Sequence, residues 1–374
     1  MNAGEVDVLV VGRGAAGCMA SMRLARRGAE VLLIGRDATA TALSAGRLDL
    51  AGVDNPELPR ALRALGLEHG LFQAPRGARR AITNQGTVGR QTLSSVHDWL
   101  AKDAGGPTAV VGLQGNPDLD PASVCSALGH RGLAPACRPY RWDLCMPGPL
   151  AVGRGPVPDE AREAIDRMAD MMEDLGEDTV VLPPLFEGPG HASARSALEL
   201  ASGRKVREAA TPLSAPGRRL MACLEDGAAR SGVERWCGRE LIGLEMEGGE
   251  AVRASVRSGL REVHVVPKAV ILATGNLVAG GLIAEGDQAV DPLGLFATAT
   301  ADRPGVRSPA LRRALSTGLA ERGGRAVLRD GTAAGNVFVA GSARAGMSYP
   351  LGRGLGQVLA DAWTKAELLW EEAI

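Results

Sequence analysis

Residues 6 to 37, VDVLVVGRGAAGCMASMRLARRGAEVLLIGRD, predict a strand, a glycine turn, a helix and a second strand, and no other stretch restricts the fold as tightly. Val6 to Val11 is an apolar, β-branched run of the kind buried in a parallel sheet. Gly12, Gly14 and Gly17 follow at GxGxxG spacing. The first glycine permits a tight turn, the second lets a pyrophosphate approach the main chain, and the third lets the helix lie close to the strand. The helix, from about Ala15 to Arg27, points its first N–H groups and the positive end of its dipole at that phosphate, and Gly28 ends it. The motif lies between a strand and a helix and is followed by EVLLI at the expected distance, the context that gives a GxGxxG its weight. At the end of the second strand, where this architecture places an acid on the adenosine ribose, the chain has Gly35.

Two further glycine motifs narrow the ligand. In KAVILATG an apolar strand runs into Ala273, Thr274 and Gly275; near the C-terminus GNVFVAGSARAG gives a strand ending at Gly341 and Ser342. GRGLGQVLADAWTKAELL then opens a helix from another glycine turn, at Gly354 and Leu355. Three such motifs in this order, with a long insertion between the first two, predict an α/β fold of the two-dinucleotide-binding (Rossmann-like) flavoprotein type. The expected organisation is a discontinuous FAD domain over residues 1–107 and 267–374, with a second α/β domain inserted over residues 108–266.

Within the insertion, TAVVGLQG reads as a buried strand, and NPDLDPASVCSALGHRG as a helix with Asp120 as N-cap, Pro121 at its first position and Gly129 as stop. Residues 158–176 repeat that grammar, with Ala161, Ile165, Met168, Met172 and Leu175 on one core-facing stripe. A further helix spans about Ala215 to Arg230, and the alternating segments 239–247 and 251–266 predict an antiparallel ribbon around EGGE. The glycine- and proline-containing stretch from Ser44 to Pro59 reads as a loop.

The chain has 374 residues, 45% hydrophobic and 23% charged, with a net charge of −1. These values exclude disorder and give no electrostatic footprint for nucleic acid or an anionic membrane. No apolar run approaches bilayer-spanning length and the N-terminus has no basic leader, so a cytoplasmic location is expected. The six cysteines form no C-x-x-C pair and no cluster-ligating ladder, so all are expected to be reduced; with five dispersed histidines no metal site is expected.

The absent acid admits three accounts. Main-chain groups and Arg36, stacking on adenine, hold the adenosine of FAD; the flavin is FMN; or the site is vestigial. The retained turn favours FAD, with Gly12, Gly14, Ala15, Ala16, Gly17, Arg36, Ala273, Thr274, Gly275, Gly341, Ser342, Gly354 and Leu355 as the candidate cofactor-binding residues. Ser342 stands where many flavoproteins place an aspartate on the ribityl chain. The C-terminal helix aims its positive end at the flavin pyrimidine edge, and Arg353 before it adds a cation there. No His–carboxylate spacing names a general base for alcohol oxidation.

Over nearly its whole length the chain resembles the B subunit family of anaerobic glycerol-3-phosphate dehydrogenase. The resemblance rests on the N-terminal motif without an acid after strand two, on SAGRLDL (Ser44 to Leu50), GTVGRQT (Gly86 to Thr92) and VVGLQG (Val110 to Gly115), and on AVILATGNLVAGGLIAE, DPLGLFATAT and NVFVAGSARAG. SAGRLDL and the block from Ala269 to Thr300 are its specific parts. The stretch AGMSYPLGRGLG departs from the family pattern, introducing Met347, Tyr349 and Arg353. The resemblance implies a flavoprotein subunit of a three-part, membrane-peripheral dehydrogenase, with a second FAD-containing subunit and an iron–sulfur subunit that carries electrons to quinone. It adds Ser44 and Gly46 to the cofactor candidates, and Arg47 and Arg90 as catalytic candidates, with Arg353, for an anionic substrate or flavin phosphate. Trp99, Trp142, Trp236, Trp363 and Trp370 are the expected anchors for those partners.

Overall fold

The computed structural model describes the chain except residues 1, 37–38, 51–55, 69–70, 72–78, 92, 94–97, 134–135, 147, 210–214, 302–315 and 348–353. Two compact units emerge: Met1–Ala40, Val53–Leu58 and Leu224–Ile374 form the first, and Thr41–Gly52 with Pro59–Cys223 the second.

The first unit is built on the opening motif. Strand β1 (Asn2–Val11), helix α1 (Ala15–Arg27) and strand β2 (Val31–Gly35) follow one another as the apolar pattern requires, and Gly28 closes α1 in the left-handed conformation with φ 105°. In the second unit come α2 (Glu57–Glu68, its first two residues in the first unit), β3 (Arg79–Ile82), β4 (Val88–Gln91), β5 (Thr108–Gln114), α3 (Pro121–His130), β6 (Cys137–Cys145), α4 (Asp159–Glu173), β7 (Thr179–Leu182), α5 (His191–Ser202) and β8 (Lys205–Glu208). Helix α6 (Ala215–Arg230) leads back to the first unit, which continues with β9 (Glu234–Cys237), β10 (Glu240–Glu247), β11 (Glu250–Ser258), β12 (Arg261–Leu272), β13 (Glu321–Arg322), β14 (Arg325–Val327), β15 (Ala333–Val339) and α7 (Gly354–Ala373).

The sheet of the first unit has the order β9-β2-β1-β12-β15-β14-β13, with β10 and β11 added alongside β12. Strands β9, β2, β1, β12 and β15 are mutually parallel. Val8, Leu9 and Val10 are fully buried, as are Ala269, Val270 and Ile271, so these strands carry the continuous apolar runs of a sheet covered on both faces. Helix α7 lies against α1, where Glu367 pairs with Arg23 and Arg27, and the Arg23 guanidinium stands 4.4 Å from the centre of the Trp363 ring.

The second unit carries a parallel sheet of order β8-β7-β5-β6. Asp120 caps α3, accepting from the Ser123 amide at 3.3 Å, but the helix runs through Gly129 and ends after His130. The predicted stripe of α4 is buried in full: Ala161, Ile165, Met168, Met172 and the following Leu175 join Val111, Trp142 and Phe186 in one core.

The units divide differently from the expected boundaries at 107 and 266. Residues 59–107 count with the second unit because Ile82 and Trp99 share a core with Val110 and Val181, and the Trp99 amide donates to Glu208 O at 3.1 Å. Residues 224–266 count with the first because β9 pairs with β2 and the ribbon pairs with β12. The ribbon turns at Gly248–Gly249 as EGGE predicts, but its second arm is not one segment from 251 to 266. It turns again at Gly259, with φ 62°, and the third strand continues unbroken into the parallel sheet.

The expectation that all cysteines are reduced is corrected: Cys125 of α3 and Cys137 of β6 form a disulfide with Cα atoms 5.6 Å apart. Sequence spacing alone carried no sign of it, since helix and strand are brought side by side only by the βαβ crossover. Cys18 and Cys223 are buried thiols, and Cys145 and Cys237 are exposed. Trp99, Trp142 and Trp363 are buried in their own units and so present no surface for a partner; Trp236 and Trp370 are half-buried.

Candidate flavin-binding site

Parallel registry places Ile34, Val11, Leu272 and Val339 side by side at the carboxyl edge of the sheet. The three glycine turns, at Gly12, Gly275 and Gly341, are far apart in sequence but therefore leave the sheet at the same edge, where open α/β sheets bind their ligands. Backbone bonds fix the turns in place: the Gly12 amide donates to Ile34 O at 2.8 Å, the Ala273 amide to Val11 O at 2.8 Å, and the Ala340 amide to Leu272 O at 3.0 Å.

Each glycine of the first turn answers to a different cause. Gly12 has φ 115°, and a Cβ there would stand 2.2 Å from Ala273 O; a Cβ on Gly17 would stand 1.7 Å from Gly12 O. Both are demanded by packing. Gly14 is the N-cap of α1 with φ −71° and ψ −172°, an extended conformation open to any residue. Gly14 brings no capping side chain to this end of α1, and the first turn, which includes Ala15, Ala16 and Gly17, holds no acidic residue. A helix N-terminus that opens on a glycine and carries no carboxylate in its first turn suits a phosphate, so these residues fit a dinucleotide.

The second and third turns are equally specific. Gly275 has φ 86° and its Cβ position lies 3.5 Å from Ser342 Oγ, which brings the Ala273–Thr274–Gly275 turn beside the buried Ser342. Asn276, buried after that glycine, accepts from the amides of Val278 at 3.1 Å and Ala279 at 3.3 Å and so shapes the loop. Gly341 has φ 63°, and a Cβ there would meet the Ala16 side chain at 2.5 Å. Its amide donates to Asp361 Oδ2 of α7 at 2.7 Å, and Arg344 bonds the other carboxylate oxygen. Burial pushes the Asp361 carboxyl up, against the pull of Arg344 and the Gly341 amide. Gly354 and Leu355 open α7, whose first turn again has no acid. Sequence reasoning missed Asn276 and Asp361; an Asx turn after Gly275 was legible in ATGN, but the pairing of Asp361 with Gly341 was not.

At the end of β2, Arg36 pairs with Glu240, whose other oxygen accepts from Arg257 at 3.3 Å. A Cβ on Gly35 would stand 2.8 Å from the Arg13 amide nitrogen and 3.0 Å from its Cγ. The Arg13 side chain is buried there and donates from Nη2 to Glu225 Oε1 at 2.6 Å.

Ser44, Gly46, Arg47 and Arg90 belong to the second unit. Ser44 Oγ donates to Thr41 O at 2.7 Å and accepts from the Gly46 amide at 3.2 Å, and Gly46, with φ 63°, packs on Pro216 of α6. Arg47 Nη2 donates to Ile82 O at 3.0 Å, and burial pulls its pKa down while Asp98 opposes that shift. Arg90 pairs through its backbone with Arg80 in the β3–β4 hairpin; its side chain, and Tyr349 and Arg353, lie outside the described residues. Two histidines are also placed. His191 Nδ1 lies 2.9 Å from Gly188 O, and His264 lies 3.9 Å from Glu262 on the exposed ribbon.

Among solved structures, the chain is similar to a 3-ketosteroid-Δ4-(5α)-dehydrogenase from Rhodococcus jostii RHA1, at 14% identity over 99% of this chain and 97% of that one, with a TM-score of 0.42. A geranylgeranyl bacteriochlorophyll reductase-like protein from Thermoplasma acidophilum matches at 13% identity over 99% and 79%, with a TM-score of 0.42. A flavocytochrome c3 fumarate reductase matches at 12% identity over 100% and 78%, with a TM-score of 0.41. No curated protein matches the chain in sequence. Residues 7–303 match the FAD binding domain family, a span that holds the first two glycine turns and favours FAD over FMN as the flavin. With its Rossmann-like sheet and three convergent turns, the chain belongs to the FAD binding domain family and is a flavin-dependent oxidoreductase.

Proposed function

We propose that this chain is the flavoprotein subunit of an anaerobic glycerol-3-phosphate dehydrogenase-like complex, relaying electrons between a second flavin subunit and an iron–sulfur subunit that serves the quinone pool. The observation that carries the reading is the resemblance across SAGRLDL and the Ala269–Thr300 block, stretches that a generic FAD domain lacks. The bound flavin supplies reversible hydride and electron transfer. The chain's own residues supply the phosphate cradle of α1, the Gly275–Ser342 contact and the Asp361 anchor of the third turn.

An onward one-electron route needs a cluster or haem, and among the described residues no group of three or more His, Cys, Asp or Glu is placed to hold a metal. In this reading the onward route runs through another polypeptide. None of the described helices is long and apolar enough to cross a membrane, and in this reading the chain is cytoplasmic, reaching the inner face of the cell membrane through its partners. Trp236 and Trp370, half-buried, remain the aromatic candidates for those contacts.

Arg47 favours a second reading, a self-sufficient oxidoreductase of a small anionic substrate acting on a CH–OH donor. A half-buried guanidinium with a hydrogen bond to a backbone carbonyl suits recognition of a small anion. Arg90 and Arg353 are the further candidates in either reading. A flavin-free structural subunit is set aside by the family match.

Affinity purification at native expression distinguishes the two. Recovery of an iron–sulfur protein in fixed ratio supports the complex; a lone chain that reduces an artificial acceptor with substrate at ordinary turnover supports the self-sufficient enzyme.

A further inference from the structure

The Rossmann-type site needs an acceptor for the hydroxyls of the adenosine ribose, and the usual one, an acid at the last residue of the second strand, is absent. Gly35 is that last residue, paired with Cys237 of β9. Its neighbour explains the absence. A side chain at position 35 would collide with the main chain and Cγ of Arg13, whose own side chain fills the space. Arg13 lies between the first two glycines of the turn, so its backbone is part of the cradle that the dinucleotide crosses.

The Arg13 guanidinium brings a carboxylate to this corner. Glu225, on α6, accepts at Oε1 from Arg13 Nη2 at 2.6 Å, and its side chain keeps 29% of its surface exposed. Its second oxygen, Oε2, has no hydrogen-bond partner among the described residues. Among the described residues, Glu240, a second acid near the end of β2, has both oxygens engaged, by Arg36 and Arg257. A carboxylate accepts only, a ribose hydroxyl donates, and an arginine bond to one oxygen holds the group in place while leaving the other able to accept.

We propose that Glu225, positioned by Arg13, is the ribose-binding carboxylate of this FAD site, delivered by a helix because Arg13 has displaced the acid from the strand. The inference rests on the assignment of FAD to the site and is independent of the electron-transfer complex. Glu225 sets specificity for the adenosine half of the cofactor, and Arg13 is its positioning residue.

The test uses the full chain stripped of flavin and follows FAD and FMN binding by fluorescence, with ADP and 2′-deoxy-ADP as competitors. The wild-type chain should favour ADP over 2′-deoxy-ADP. Glu225→Gln, of the same shape, should weaken FAD by about 10- to 100-fold, erase the preference between the two competitors and leave FMN affinity unchanged. Arg13→Met should do the same, and Arg13→Lys should recover part of the loss. Unchanged FAD affinity and unchanged competitor preference in Glu225→Gln overturn the proposal, as does transfer of the whole effect to Asp37→Asn, the nearest acid in sequence. A wild-type chain that binds no FAD would instead remove the cofactor assignment itself, so the two failures are distinct.

Discussion

A Cβ placed on Gly17 would stand 1.7 Å from the carbonyl oxygen of Gly12. The first and third glycines of the motif are therefore held by the packing of α1 on β1, and Gly12 also touches the second turn at Ala273. Gly14, in an extended conformation open to any residue, is the glycine that ligand approach explains. Gly12→Ala and Gly17→Ala should fail to give soluble folded protein. Gly14→Val should keep its circular dichroism spectrum and lose FAD. Full flavin occupancy in folded Gly14→Val would remove the assigned role.

Heat release of the cofactor, followed by chromatography, should yield non-covalent FAD at about one per chain, as expected for a single dinucleotide site. Recovery of FMN alone would contradict the reading of the intact pyrophosphate turn.

The buried pair Arg219–Glu208, with contacts of 2.7 and 3.0 Å, should make the second unit sensitive to acid. Burial raises the Glu208 carboxyl, but Arg219 and Arg195 outweigh it and the net shift is downward from 4.5. Its folded value thus lies below its unfolded one, so the stabilisation is complete above the unfolded value and is lost as pH falls through the folded one. Glu208→Gln leaves Arg219 buried without its counter-charge and should cost about 3–5 kcal/mol at neutral pH. Urea unfolding at pH 7 and at pH 3 measures both effects; an equal loss of stability on acidification in wild type and variant would refute the assignment.

The Cys125–Cys137 disulfide closes a loop with a sequence separation of 12. Thiol titration of the unreduced, unfolded chain should count four thiols, those of Cys18, Cys145, Cys223 and Cys237. Reduction should lower the unfolding free energy by about 3 kcal/mol on loop-closure entropy. The double variant Cys125→Ser, Cys137→Ser should match the reduced protein and ignore reductant. In the folded chain Cys18, whose pKa burial pushes up to about 12, should stay inert to alkylation at pH 8, where exposed Cys237 reacts.

Local chemistry was legible in the sequence wherever one segment determines its own conformation. The apolar run of β1, the Gly28 stop of α1, the Asp120 cap of α3 and the methionine stripe of α4 each depend on residues a few positions apart, and each stands where the pattern put it. The three glycine turns were readable for the same reason. What only the tertiary structure decided are relationships between residues far apart in the chain. Residues 224–266 join the first unit through strand pairing with β2 and β12, Cys125 meets Cys137 across a crossover, and Asp361, within α7, takes the Gly341 amide from 20 positions further along the chain. The missing acid at Gly35 shows the division most clearly. Sequence marks the absence, but the cause, the Arg13 side chain lying over Gly35 and reaching Glu225, depends on contacts 22 and 212 positions apart that no local pattern encodes.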